Sequence, residues 1–263
     1  MLGAILGDIA GSRFEWENIK TKEFAFLHPD CRMTDDSIMT LAVAKAILDS
    51  REDRSTLGQQ AVVWMQKLGR KYPDAGFGGR FSRWLLDPDP KPYGSYGNGA
   101  AMRVSPCGFA AQSLEEAKEL ARTVTEVTHN HPEGIKGAEA TACIIYLART
   151  GKTREEIRSF VCEHYYPLNF TLDEIRPSYR FDVSCQGSVP QAIEAFLEST
   201  DYEDAIRNAI SIGGDSDTIA AIAGGMAQAF FGIPGPLRDA AMHDFRDDGL
   251  REILREFEAV YPC

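Results

Sequence analysis

Residues 34–48 read Thr-Asp-Asp-Ser-Ile-Met-Thr-Leu-Ala-Val-Ala-Lys-Ala-Ile-Leu, and this stretch decides the fold class. Between Ser37 and Leu48 the side chains are apolar on nearly every face that a helix would present. A helix without a polar face is a buried one, so other elements must surround it. The polar residues just before it would lie at the N-terminal end of that buried helix.

Helical periodicity continues through most of the chain, and Gly and Pro separate the helical segments, as in Gly232-Ile-Pro-Gly-Pro. Further helices are predicted at residues 55–69, 99–111, 114–127, 133–149, 153–163, 188–199, 202–211, 217–231 and 247–259. Residues 165–185 are the least regular and are expected to hold short strands or a long loop. Because no repeat or long linker divides it, the chain is predicted to form an all-α, single compact multi-helix domain over residues 1–263.

The bulk composition excludes several classes of protein. The chain has 263 residues, of which 44% are hydrophobic and 25% charged, as in a globular protein with a core. Its net charge of −11 argues against general nucleic-acid binding, because phosphate backbones are also negative. No apolar run reaches the roughly 18 residues of a membrane span, and Asp8 interrupts an N-terminus that lacks the basic start of a secretory signal. Six scattered cysteines without a Cys-x-x-Cys pair are typical of reduced thiols in a cytoplasmic protein.

Two aspartate clusters stand at the starts of apolar helices. They are Thr34-Asp35-Asp36-Ser37 and Gly213-Gly214-Asp215-Ser216-Asp217-Thr218. Helix capping explains one residue in each cluster, since Ser, Thr and Asp are favoured N-caps and acids suit the positive end of a helix dipole. Capping does not require two carboxylates in each cluster. The paired glycines of the second cluster would let the backbone curl and turn both of its carboxylates inward.

Burying four carboxylates at the N-terminal ends of buried helices costs free energy through desolvation and mutual repulsion unless a cation neutralises them. The candidate ligands are all oxygen atoms of Asp and Thr, which favours Mg²⁺ or Mn²⁺ over zinc. Two ions are expected, because four carboxylates exceed what a single octahedral Mg²⁺ recruits. Asp217 lies between Asp215 and Thr218 and is the residue best placed to bridge two ions.

Two weaker patterns lie in the middle of the chain. A glycine-rich loop leads into a predicted helix at residues 94–103, Gly-Ser-Tyr-Gly-Asn-Gly-Ala-Ala-Met-Arg. This segment is either a plain helix start or a place where backbone N–H groups bind a phosphate. The segment Thr128-His129-Asn130-His131 suggests a His-x-His zinc site, but the remaining histidines are isolated from it: His28, His164 and His243. His129 is therefore expected to form hydrogen bonds or contact a substrate, and no histidine is expected to ligate metal.

These segments together resemble the ADP-ribosylglycohydrolase family, which includes ADP-ribosylarginine hydrolase and the dinitrogenase reductase-activating glycohydrolase. The resemblance covers nearly the whole chain, and its segments occur in the family's order. They are Gly3-Ala-Ile-Leu-Gly-Asp-Ile-Ala-Gly, Thr34-Asp-Asp-Ser, Tyr96-Gly-Asn-Gly-Ala-Ala-Met-Arg-Val-Ser-Pro, Thr128-His129 and Gly214-Asp-Ser-Asp-Thr. The second and the last of these resemble the family's two metal motifs.

The resemblance implies an all-α fold around a centre of two divalent ions, Mg²⁺ or Mn²⁺. Glu15 occupies the place where some members keep a glutamate close to the metals and to the bond that is cleaved. The implied metal ligands are Thr34, Asp35, Asp36, Asp215, Asp217 and Thr218. The implied catalytic residues are Asp35, Asp36, Asp217 and Glu15, and the implied contacts to ADP-ribose are Asn98, Gly99 and His129.

The implied reaction is hydrolysis at the anomeric carbon of the distal ribose in an ADP-ribosylated protein or small molecule, releasing ADP-ribose. Metal ions would orient the ribose, and an aspartate would assist the deprotonation of water. The residues leave open which aspartate does so and which acceptor carries the ADP-ribose. Two other readings stay open: a non-catalytic ADP-ribose-binding module, and a metal-dependent phosphohydrolase that cleaves the pyrophosphate.

Overall fold

The computed structural model describes residues 1–244 and 247–262, with side chains for all of these except 243 and 244. Cys263 and the His243 side chain, which figured in the sequence predictions, lie outside this described part. The helices are α1 Leu2–Gly11, α2 Asp35–Asp49, α3 Leu57–Lys71, α4 Gly79–Leu86, α5 Gly99–Met102, α6 Ser105–Ala110, α7 Leu114–Glu126, α8 Pro132–Arg149, α9 Arg154–His164, α10 Leu172–Ile175, α11 Cys185–Leu197, α12 Tyr202–Ser211, α13 Ser216–Phe231, α14 Gly235–Asp244 and α15 Asp248–Val260. The described residues form no named strand, so the all-α prediction is confirmed.

One predicted helix differs from the structure, and the predicted loop at 165–185 contains a short helix. The single helix predicted at 99–111 is wrong, because the chain forms α5 and α6 with a break at Arg103. Pro106 has no N–H to donate to the carbonyl of Met102, and its ring would collide with that carbonyl in a continuous helix. Residues 165–185 hold the short helix α10 within a long loop, whose end pairs Ser184 with Gly97 in an isolated β-bridge.

Besides the short α10, three helices of the described chain were not predicted, and each lacks the usual signal. Every residue of α1 is buried, so it has no polar face from which a period could be recognised. Helix α4 begins at a glycine pair, and α14 begins at Gly235-Pro236, which resembles a helix break in the sequence. Among the described residues, none of the helices is both long and apolar enough to cross a membrane.

Helix α1 packs against α13 almost backbone to backbone, through glycines. A β-carbon added to Gly7 would lie 2.1 Å from the carbonyl oxygen of Ala220, and one added to Gly3 would lie 2.5 Å from that of Gly224. At the end of α1, a β-carbon on Gly11 would lie 2.6 Å from the Cα of Asp217. This close approach places the second half of α1 directly beside the start of α13.

Helix α2 lies beside α1 as well, packed among α3, α6 and α15. Its residues from Ile38 to Ile47 are buried except for Lys45, as the apolar sequence predicts. The first turn of α2 and the first turn of α13 therefore meet along the same face of α1. These two turns carry the two aspartate clusters.

Substituting Gly7 with Ala is expected to destabilise the protein. Overpacking costs about 1–3 kcal/mol, and the loss should lie at the upper end of this range because backbone rather than a flexible side chain occupies the space. Gly58→Ala is the matched control, since a β-carbon there meets only the Thr123 methyl group at 3.7 Å. That control should leave the free energy of unfolding unchanged or raise it by up to about 1 kcal/mol. Denaturant unfolding followed by circular dichroism measures both changes, and equal effects would contradict the close helix contact.

Candidate active site

Carboxylates from three distant parts of the sequence converge where α1, α2 and α13 meet. Asp8, Asp36 and Asp217 each offer an oxygen atom within 4.8 Å of the others. Glu15, Asp215 and Asp217 form a second group with the same spacing. Asp217 belongs to both groups, which is the position expected of a residue that bridges two ions.

Helix capping accounts for only part of this arrangement. Thr34 is the N-cap of α2, and its hydroxyl accepts a hydrogen bond from the N–H of Asp36. Asp215 occupies the corresponding position of α13 but makes no capping hydrogen bond. Gly213 and Gly214, with φ of +67° and +81°, adopt the left-handed conformation that glycine allows. The carboxylate of Asp215 instead accepts a hydrogen bond from Nδ2 of Asn98 at 2.6 Å.

The carboxylate of Asp36 provides a test of whether a cation fits. Its Oδ2 accepts a hydrogen bond from the hydroxyl of Thr218 at 3.2 Å and lies 3.4 Å from the hydroxyl oxygen of Thr34. Its Oδ1 is buried and has no hydrogen-bond partner among the described residues. A buried, unsatisfied carboxylate oxygen is costly, and a divalent ion with oxygen ligands would satisfy it. The residues present therefore fit Mg²⁺ or Mn²⁺.

Burial raises the pKa of the carboxylates in this cluster. The pKa of Asp217 lies well above its ordinary value, mainly because the side chain is removed from water. Burial, followed by the charge of Asp8, raises the pKa of Asp35 to about 8. Burial, followed by the charge of Asp215, raises the pKa of Glu15 to about 7. Without a cation, the cluster thus favours protonated carboxyl groups over mutually repelling charges.

The six implied metal ligands do not all belong to the two carboxylate groups. Asp36, Asp215 and Asp217 are members of the two carboxylate groups, while Thr218 donates a hydrogen bond to Asp36 and Thr34 donates one to Asp8. Asp35 belongs to neither group, although its half-buried side chain lines the same cavity.

Asp8 is a residue of this site that the sequence analysis did not single out. Its fully buried Oδ2 accepts hydrogen bonds from the N–H groups of Thr34 and Ser37, each at 3.0 Å, and from the Ser37 hydroxyl. Its Oδ1 accepts one from the Thr34 hydroxyl at 2.7 Å. All four donors belong to the first aspartate cluster, so Asp8 fixes the position of that cluster. A lone acid within the apolar segment Leu2–Gly11 was the available signal.

All of these carboxylates except Asp8 line a cavity of about 430 Å³, together with the residues predicted to contact ADP-ribose, which are Asn98, Gly99 and His129. At its edge Trp16, with 75% of its surface exposed, stacks on Phe181 at a ring distance of 5.2 Å. The charge of Arg32, followed by a smaller contribution from the Trp16 side chain, partly offsets the rise in the pKa of Glu15. A larger cavity of about 910 Å³, between residues 27–33 and the start of α15, is lined by none of the clustered carboxylates.

The predicted ligand-binding segment is joined directly to the second aspartate cluster. The side-chain amide of Asn98 donates to Asp215 and, at 3.0 Å, to the hydroxyl of Ser188. Gly99 is the first residue of α5, and a β-carbon there would lie 3.4 Å from Nε2 of His129. The middle segments and the two ends of the chain therefore form one site.

Comparison with known proteins agrees with this arrangement. The family model described as ADP-ribosylglycohydrolase matches residues 1–261. Similar proteins include ADP-ribosylhydrolase ARH3 of Xenopus tropicalis, which is 28% identical over 88% of this chain and 86% of its own length. ADP-ribosylhydrolase ARH3 of Homo sapiens is 26% identical, with 89% and 84% covered. ADP-ribosylarginine hydrolase Tri1 of Pseudomonas putida (strain GB-1) is also 26% identical, with 89% and 70% covered.

A solved structure, titled ADP-ribosylglycohydrolase-related protein complex, shares the fold with a TM-score of 0.66 at 22% sequence identity. The match covers 99% of this chain and 96% of that one. The family match over nearly the whole length agrees with the motifs quoted from the sequence and with their convergence at one cavity. The chain therefore belongs to the ADP-ribosylglycohydrolase family and is a hydrolase of the glycohydrolase type.

Proposed function

We propose that this protein hydrolyses the glycosidic bond at the anomeric carbon of the distal ribose in ADP-ribosylated proteins or small molecules, and that it does so with two divalent ions, Mg²⁺ or Mn²⁺. The observation that carries the proposal is that two carboxylate groups share Asp217 within the cavity that also contains Asn98, Gly99 and His129. The relatives named ADP-ribosylhydrolase and ADP-ribosylarginine hydrolase support the substrate class.

The ions would be held at the first turns of α2 and α13, where Asp36 keeps a carboxylate oxygen without a partner among the described residues. Divalent ions bound there would orient the ribose hydroxyls and make a water molecule more acidic. The proposed ligands are Thr34, Asp35, Asp36, Asp215, Asp217 and Thr218.

The four proposed catalytic carboxylates all line the cavity, but they differ in exposure. Asp36 and Asp217 are buried, whereas Glu15 and Asp35 are half-buried. Glu15 and Asp35 are therefore the groups that a water molecule and the departing acceptor would meet, and we assign them the transfer of protons during the reaction. The surrounding negative charges would stabilise the oxocarbenium-like centre that develops as the glycosidic bond breaks.

A panel of conjugates tests this function. Arginine-, serine-, acetyl- and nucleic-acid-linked ADP-ribose are incubated with the protein in Mg²⁺, in Mn²⁺ and in a chelator, and the products are separated. We expect free ADP-ribose from at least one conjugate, with loss in the chelator and recovery when either ion is restored. Binding of ADP-ribose without turnover of any conjugate would indicate a non-catalytic module instead. Release of AMP and ribose phosphate would indicate a phosphohydrolase.

A further inference from the structure

Arg103 is an unusual residue in the wall of the cavity. It is 1% exposed, and its side-chain contacts with described residues are to Thr128, His129 and the ring of Phe81, none of them a salt bridge. One of its terminal nitrogens donates a hydrogen bond to Oγ1 of Thr128 at 2.6 Å and lies 3.4 Å from Nδ1 of His129. A buried guanidinium without a carboxylate partner is expensive, so its position calls for a role beyond packing.

The hydroxyl of Thr128 has a single hydrogen and three neighbours. Arg103 is only a donor, so the hydroxyl accepts from it and must direct its own hydrogen elsewhere. The available acceptors are Nδ1 of His129 at 2.7 Å and the carbonyl of Thr125 at 3.4 Å. A distance of 2.7 Å is close to optimal for a hydroxyl donor, whereas 3.4 Å is long. The hydrogen therefore points to Nδ1 of His129.

This geometry determines the protonation of the imidazole. Because Nδ1 accepts from Thr128 and faces the guanidinium of Arg103, the ring proton resides on Nε2. Burial, followed by the charges of Arg103 and Arg80, lowers the pKa of His129 well below its ordinary value. The ring is therefore neutral at neutral pH and presents one N–H donor.

The Nε2 edge of His129 faces the glycine-rich loop of the cavity. A β-carbon on Gly97 would lie 3.6 Å from Nε2, and one on Gly99 would lie 3.4 Å from it. No described residue forms a hydrogen bond with Nε2, and His129 lines the same cavity as the carboxylates. The absence of side chains at both glycines leaves room for a ligand atom in front of the N–H group.

We propose that Arg103 and Thr128 are positioning residues that fix His129 as the neutral Nε2–H tautomer, so that it donates a hydrogen bond to an oxygen atom of ADP-ribose held against the Gly97–Gly99 loop. The identity of the ligand rests on the proposed function, whereas the tautomer does not. Arg103 sets the direction of the Thr128 hydroxyl, and the hydroxyl in turn sets the acceptor side of the imidazole.

The tautomer is measured directly by long-range ¹H–¹⁵N NMR on protein labelled at histidine, with the His129 signals assigned by their loss in His129→Ala. The expected spectrum at neutral pH shows a protonated Nε2 and an unprotonated Nδ1. A proton on Nδ1, or on both nitrogens, would overturn the proposal. This readout needs no substrate, so it stands even if no ADP-ribose conjugate is cleaved.

Two variants of Thr128 test the consequence for binding. Thr128→Ser retains the hydroxyl and should preserve both the tautomer and the affinity for ADP-ribose measured by calorimetry. Thr128→Val removes the hydroxyl at similar volume, and it should mix the two tautomers and weaken ADP-ribose binding roughly 3- to 10-fold, the effect of one neutral hydrogen bond. Metal content should be unchanged in both. An unaltered affinity in folded Thr128→Val would contradict the positioning role, and if that variant does not fold, the wild-type spectrum alone decides.

Discussion

Replacing Asp217 with Asn is expected to reduce ADP-ribose release at least about a hundredfold while leaving the protein folded. Asp217 is the carboxylate shared by both acidic groups, so its loss would remove a ligand from both proposed ions. The amide removes one negative charge and one strong ligand but changes the side-chain volume little. Losing the orientation of the ribose and the activation of water is worth several kcal/mol of barrier. At about 1.4 kcal/mol for each tenfold change in rate, a hundredfold loss is the minimum expected.

The measurement compares turnover of a cleaved conjugate at saturating Mg²⁺ with a thermal melt of the same samples. Asp201→Asn is the matched control, because Asp201 caps α12 by accepting a hydrogen bond from the N–H of Asp204. Asn caps helices about as well as Asp, so this control should change neither turnover nor melting. Turnover near the wild-type rate in Asp217→Asn would reject the metal-centred mechanism and leave Asp217 as an ordinary helix-start residue.

The fold could be predicted from the sequence where a helix has either a clear period or no polar face over a long run. The stretch that forms α2 has the second property, and its burial followed from it. The same property kept α1 from being predicted, since ten residues made mostly of glycine and small or aliphatic residues resemble a strand or an apolar leader as much as a helix. The break at Arg103 follows from Pro106, which disrupts the preceding turn although the helical pattern continues on both sides of it.

The candidate site was predictable where its residues are adjacent in sequence, as in the two aspartate clusters. Residues whose role depends on distant partners were missed. Asp8 meets Thr34 and Ser37 only after α1 packs beside α2. Arg103 meets Thr128 across 25 positions, and nothing local to either residue indicates that contact. A single sequence reveals candidate ligands, while the residues that orient them emerge only from tertiary packing.

Substituting Asp8 with Asn is expected to weaken the binding of Mg²⁺ and Mn²⁺ roughly 10- to 100-fold, the usual effect of losing a partner that orients metal ligands. In the structure, both carboxylate oxygens of Asp8 accept hydrogen bonds from the start of α2. An amide can keep one oxygen facing the N–H groups of Thr34 and Ser37, but its NH₂ group then faces the Thr34 hydroxyl. That hydroxyl must accept instead of donate, which occupies a lone pair that would otherwise be available to an ion.

Metal titration followed by calorimetry measures this loss, and turnover is compared at limiting and at saturating Mg²⁺. Because Asp8 is not among the six proposed ligands, and all six remain in Asp8→Asn, saturating metal should restore much of its activity, whereas it should not rescue Asp217→Asn. Asp53→Asn is the control for the loss of a charge and of local hydrogen bonds. Asp53 is exposed and lies away from the cavity, and it accepts hydrogen bonds from the N–H and the hydroxyl of Ser55. Wild-type metal affinity in Asp8→Asn would show that the buried carboxylate serves folding alone. Reduced affinity with rescue by metal would instead identify α1 as the element that holds the first aspartate cluster in its binding geometry.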